Sequence, residues 1–119
     1  MIPAENIRDW RGRAVVDAQG KKIGELEAVY VDTASDEPSF VTVKVGGLLG
    51  KSRLVFVPLD GAMVSPDHVR VTVDRDQSKS APAIDTDGEL VAEMEPSVFA
   101  YYGIDYQPGA SGERRLARR

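Results

Sequence analysis

The chain has 119 residues, 42% hydrophobic and 29% charged, the balance of one folded domain and not of a disordered or membrane-spanning chain. Its lack of cysteine excludes disulfide scaffolds, iron–sulfur clusters, thiolate zinc sites and cysteine nucleophiles. The net charge is −4, but residues 113–119, ERRLARR, carry four arginines against one glutamate, which is +3 and leaves −7 on the preceding body; a phosphate backbone is repelled by that body, so nucleic acid is an unfavoured partner.

Residues 1–11 are polar and read as an N-terminal extension. They do not resemble a secretory signal, and no apolar run approaches the ~18 residues of a membrane span, so a cytoplasmic protein is expected. From residue 13 to 75 valine-rich segments alternate with turn residues, the pattern of strands. Ala14-Val15-Val16-Asp17 leads through a turn at Gln19-Gly20-Lys21 into a longer strand from Ile23 to Asp32. Its alternation is broken: Leu26, Ala28 and Tyr30 share one face and Val29 and Val31 the other, which predicts either a bulge or cover on both faces. In the next strand Val41, Val43 and Val45 point one way, with Thr42 and Lys44 on a wet face. Residues 54–59 are apolar on both faces, as in a central strand, with Pro58 at its end. After a turn at Ser65-Pro66-Asp67, Val69, Val71 and Val73 predict a last long strand. A loop over residues 78–87 follows, and then a short helix from Pro96 to Tyr102 with Gly103 as its cap. Residues 107–119 have few apolar side chains and read as a disordered basic tail.

The candidate chemical motifs each lack a part. Residues 45–52 approach a phosphate-binding loop, but Val45 stands at the first glycine position and a strand follows where a helix is required. A calcium loop at Asp85-Thr86-Asp87-Gly88-Glu89 would place Ala83 and Met94 at ligand positions. His68 is the sole histidine and reads as a solvent-facing turn residue. Glu25 with Glu27, and Asp74 with Asp76, share strand faces by period two and read as exposed charge. No catalytic, cofactor-binding or metal-binding residue is therefore assigned, no cofactor is expected and the chain is not expected to be an enzyme. Leu48 and Leu49, side by side in a glycine-rich hairpin, are candidates for an interface, together with Phe99, Tyr101 and Tyr102 of the helix, and a homodimer is the expected outcome.

Taken in order, Gly20-Lys21-Lys22-Ile23-Gly24-Glu25-Leu26-Glu27-Ala28-Val29-Tyr30-Val31-Asp32, Phe40-Val41-Thr42-Val43, the glycine hairpin, Phe56-Val57-Pro58-Leu59-Asp60-Gly61-Ala62, Ala81-Pro82 and Tyr102-Gly103-Ile104 resemble the PRC-barrel domain. That module occurs in the photosynthetic reaction centre H subunit and in a ribosome maturation factor. The chain is most similar to stand-alone bacterial proteins of that kind, although Val91-Ala92 stands where many relatives start their helix with Ser-Pro. The resemblance implies a mainly β fold: a small six-stranded PRC-type barrel with one short C-terminal helix over residues 12–106. It implies a non-catalytic protein-interaction or adapter module that self-associates and also has an unknown protein partner, with two alternatives, an RNA- or ribosome-linked accessory protein and a small-ligand-binding barrel.

Overall fold

The computed structural model describes residues 7–46, 52–85, 94–104, 106 and 116–118. A single 3-10 turn, Ile7–Trp10, precedes the sheet and buries Trp10 in its core. Strands β1 (Ala14–Val16) and β2 (Lys22–Asp32) form the expected hairpin. Gly20 takes φ +85 in its turn, a conformation that side-chain-bearing residues rarely adopt. The Asp17 carboxylate ties the turn together by accepting the N–H groups of Gln19 and Lys21, each at 2.9 Å. Strands β3 (Pro38–Val45) and β4 (Arg53–Pro58) continue the antiparallel ladder, with Pro58 at the end of its strand.

The sheet departs from the six-stranded closed barrel. Among the described residues it has eight strands, seven of them in an open path, β5-β6-β1-β2-β3-β4-β7, where β5 is Met63–Val64, β6 His68–Arg70 and β7 Ala83–Asp85, while the eighth, β8 (Leu116–Arg118), pairs with β2 off that path. Among the described residues no ladder joins β5 to β7, so nothing closes the ring. The expected long strand over Val69, Val71 and Val73 is cut short for a local reason. Its paired residues end at Arg70, and Asp74 turns the chain by accepting the N–H groups of Asp76 and Gln77, starting helix α1 (Arg75–Lys79) inside the expected strand-to-loop region.

Both expectations for β2 hold together. The ladder with β3 slips between Leu26 and Ala28, making Glu27 the extra residue of a bulge. Leu26 therefore shares its face with Val29 and Val31, and Ala28 and Tyr30 take the opposite one. The first face packs with Val15, Val41, Val43, Val55, Val57 and Val69 in the larger core. The second is covered by helix α2 (Glu95–Tyr101), which sets Val98 and Phe99 on Tyr30, Phe40 and Phe56. Thr42, expected on a wet face, is fully buried and donates its hydroxyl to Glu27 at 2.9 Å, whereas Lys44 is exposed.

Helix α2 begins with Pro96 in its first turn and ends in a Schellman motif, Ile104 N–H to Phe99 C=O at 2.9 Å and Gly103 N–H to Ala100 C=O at 3.0 Å, with Gly103 at φ +69. The disordered tail expected over residues 107–119 fails at its end. Leu116, its one large aliphatic side chain, is fully buried in the second cluster, and residues 116–118 run antiparallel to Tyr30, Val31 and Asp32. The sheet domain thus reaches past residue 106.

At Gly24 the backbone of β3 leaves no room for a side chain on β2. A Cβ there would lie 2.2 Å from the Lys44 carbonyl oxygen and 2.8 Å from Val43 Cγ1. Because the nearer obstacle is backbone, Gly24→Ala should force the strands apart and cost about 2 kcal/mol, read as a lower denaturant midpoint with unchanged cooperativity.

Candidate functional site

The groups named from sequence as candidate chemistry lie on different elements, and Glu27, Asp74, Asp76 and His68 have partners within the chain. Glu25 is exposed on its strand, but Glu27, two positions on in the bulge, is not the free charge expected: its Oε1 accepts the Thr42 hydroxyl at 2.9 Å and its Oε2 pairs with the Arg118 guanidinium. Asp74 caps α1, and Asp76 forms an exposed ion pair with Arg75 at 3.5 Å. His68 opens β6 with Nδ1 2.7 Å from Asp67 Oδ1, and that hydrogen bond holds the Asp67 carboxyl below its ordinary range. Of the five expected interface residues, Leu48 and Leu49 lie outside the described residues, as do residues 86–89 of the calcium-loop candidate.

The three aromatic candidates face inward on this chain. Phe99 packs on Phe40 and Tyr106 at ring-centroid distances of 5.2 and 5.0 Å. Tyr102 donates its hydroxyl to the Phe56 carbonyl at 2.6 Å, and burial pushes that hydroxyl's pKa up. Tyr101 reaches across to α1 and donates to the Gln77 carbonyl at 2.5 Å. The helix therefore clamps the sheet on one side and α1 on the other.

Two buried carboxylates hold the periphery, and neither was singled out from sequence. Asp17 is fully buried and, besides the turn, accepts the Arg75 N–H at 3.2 Å, joining the first hairpin to α1. Burial pushes its pKa up, but the N–H groups of Lys21, Arg75 and Gln19 together with the Lys21 charge outweigh this and leave it lowered. Glu95, also fully buried, accepts the Tyr106 hydroxyl at 2.9 Å on Oε1 and the Leu116 N–H at 3.0 Å on Oε2. Its sequence position, ahead of a proline at a helix start, is the one signal that could have drawn attention to it. A hollow of about 480 Å³ opens between the β2–β3 turn and the loop after β4, with Asp32, Glu37, Asp60 and Leu59 among its lining. No cluster of metal-ligand residues occurs among the described residues.

These features define a small β module: an open, mainly antiparallel sheet with a valine core on one face and an aromatic helix on the other. The PRC-barrel domain model matches residues 3–78, and the chain belongs to that family. No curated protein matches the chain. Among the described residues no helix is long and apolar enough to cross a membrane.

Asp17 gives a test of this electrostatic frame. A lowered folded pKa means its contribution to stability is complete above the ordinary value of 3.8 and is lost as pH falls through the folded value. Asp17→Asn should lower the melting temperature at neutral pH and flatten the loss of stability below pH 3.8, both read by thermal denaturation across an acid series.

Proposed function

We propose that this PRC-barrel chain is a non-catalytic interaction module that acts in the cytoplasm and self-associates through Leu48 and Leu49. One observation supports it above the others: among the described residues, Asp17, Glu27, His68, Asp74 and Glu95 serve as caps, clamps and strand ties on separate elements and do not converge on a common point. The filled valine core favours the same reading over a ligand-binding interior, because the inward side chains of β1 to β4 and β6 pack on one another.

The leucines fall between the last ladder pair of β3 and β4, Val45 with Arg53, in a connection otherwise made of glycine, lysine and serine. Leaving two leucines in water costs ~25 cal/mol per Å² of apolar area, which burial against a second copy removes. With Phe99 and Tyr102 packed on the chain's own sheet, the leucine pair carries the proposed contact.

Light scattering at tens of micromolar tests it: the wild type should be a dimer, and a folded Leu48→Asp, Leu49→Asp double variant a monomer. A monomeric wild type rejects self-association, and a dimeric double variant moves the contact elsewhere.

A further inference from the structure

The β2 edge that receives β8 has the properties of a receptor built independently of what occupies it. Three kinds of recognition meet there. The backbone of residues 116–118 pairs with Tyr30, Val31 and Asp32, and the Leu116 N–H is taken by Glu95. The Leu116 side chain fills a socket in the cluster of Ala28, Tyr30, Phe56, Val98 and Phe99. Two residues on, Arg118 pairs with Glu27, whose side chain is 17% exposed.

Both acidic groups are oriented by bonds that do not involve the tail. The Thr42 hydroxyl holds Glu27 and the Tyr106 hydroxyl holds Glu95. The opposite edge of β2 is laddered to β3 through pairs that do not involve β8. An extended segment with leucine, a small residue and arginine in that order meets every contact, and the +3 tail complements the −7 body.

We propose that this edge is a strand-addition site for an extended peptide of the Leu-small-Arg pattern on a partner protein, and that the chain's own C-terminus is the competitor that occupies it. Main-chain pairing supplies the attachment, while the leucine socket and Glu27 supply the choice of sequence. The tail is tethered ten positions before Leu116, at Tyr106, so its effective concentration is on the order of millimolar and it screens out weak competitors. The proposal rests on the interaction-module reading but not on the Leu48–Leu49 contact.

The probe is a fluorescein-labelled peptide of residues 112–119, GERRLARR, titrated by anisotropy into full-length protein. A full-length Leu116→Asp chain, whose own tail no longer seats, should bind it about tenfold or more tighter than the wild type, and a peptide with Leu116→Ala should lose about tenfold or more. The Leu48→Asp, Leu49→Asp chain should bind the peptide as the wild type does, which separates this site from the dimer contact. Equal binding by wild type and Leu116→Asp, absence of binding to a folded Leu116→Asp chain, or indifference to the peptide leucine overturns the proposal. Should Leu116→Asp not fold, hydrogen exchange on the wild type decides: amides of residues 116–118 should exchange by local opening, at least about tenfold faster than those of the β2–β3 ladder, and equal protection overturns the proposal.

Discussion

The structure depends on one strand being covered on both faces. β2 is the longest strand among the described residues and carries β3 along one edge and β1 and then β8 along the other. A strand with regular alternation could present Leu26, Ala28 and Tyr30 together, leaving Val29 and Val31 opposite. The bulge at Glu27 shifts Leu26 to the valine side and gives Ala28 and Tyr30 to the aromatic side. That shift makes the second cluster possible, and with it the seat for α2 and for Leu116. The close approach at Gly24 belongs to the same stretch of ladder, where a side chain on β2 would meet the backbone of β3.

Around this strand the polar groups act as fasteners, each doing a job that apolar packing does not do. Asp17 joins a hairpin turn to α1, Glu27 links the bulge to Thr42 and Arg118, and Glu95 connects α2 to Tyr106 and Leu116. A buried carboxylate without donors would be costly, so Asp17 and Glu95 depend on having their partners in place. That dependence makes the small elements cooperative: α1, α2 and β8 have five, seven and three residues, too few to persist alone, and are held by tyrosine, backbone and arginine partners from other parts of the chain.

Much of the fold was legible because it is local. The turn at Gly20, the valine alternation in β3, the stop at Pro58, the proline in the first turn of α2 and the Gly103 cap are all fixed by neighbouring residues, and the structure has each of them. The order of segments was enough to indicate the PRC-barrel family. What escaped was set by distant residues. The period-two pattern from Val69 to Val73 looks like strand throughout, but side-chain capping by Asp74 competes for the chain immediately afterwards and starts a helix. Thr42 reads as wet, yet it is fully buried with its hydroxyl donated to Glu27, on the neighbouring strand. Leu116 sits among arginines, glycines and alanines, and only the socket made by β2, β4 and α2 explains it. Phe99, Tyr101 and Tyr102, expected at an interface, make contacts to Phe40, Gln77 and Phe56 of the same chain, residues too distant in sequence for local pattern to pair them.

The central claim, that both faces of β2 are covered and that α2 and β8 close the second, is tested most directly by nuclear Overhauser contacts in the isotope-labelled full-length protein. The account predicts cross-peaks between the Phe99 and Phe40 rings, whose centroids lie 5.2 Å apart, and from the Leu116 methyl groups to the aromatic side chains of their shared cluster. Sharp, solvent-like Leu116 methyl signals together with a Phe99 ring showing no contact to the sheet would contradict it.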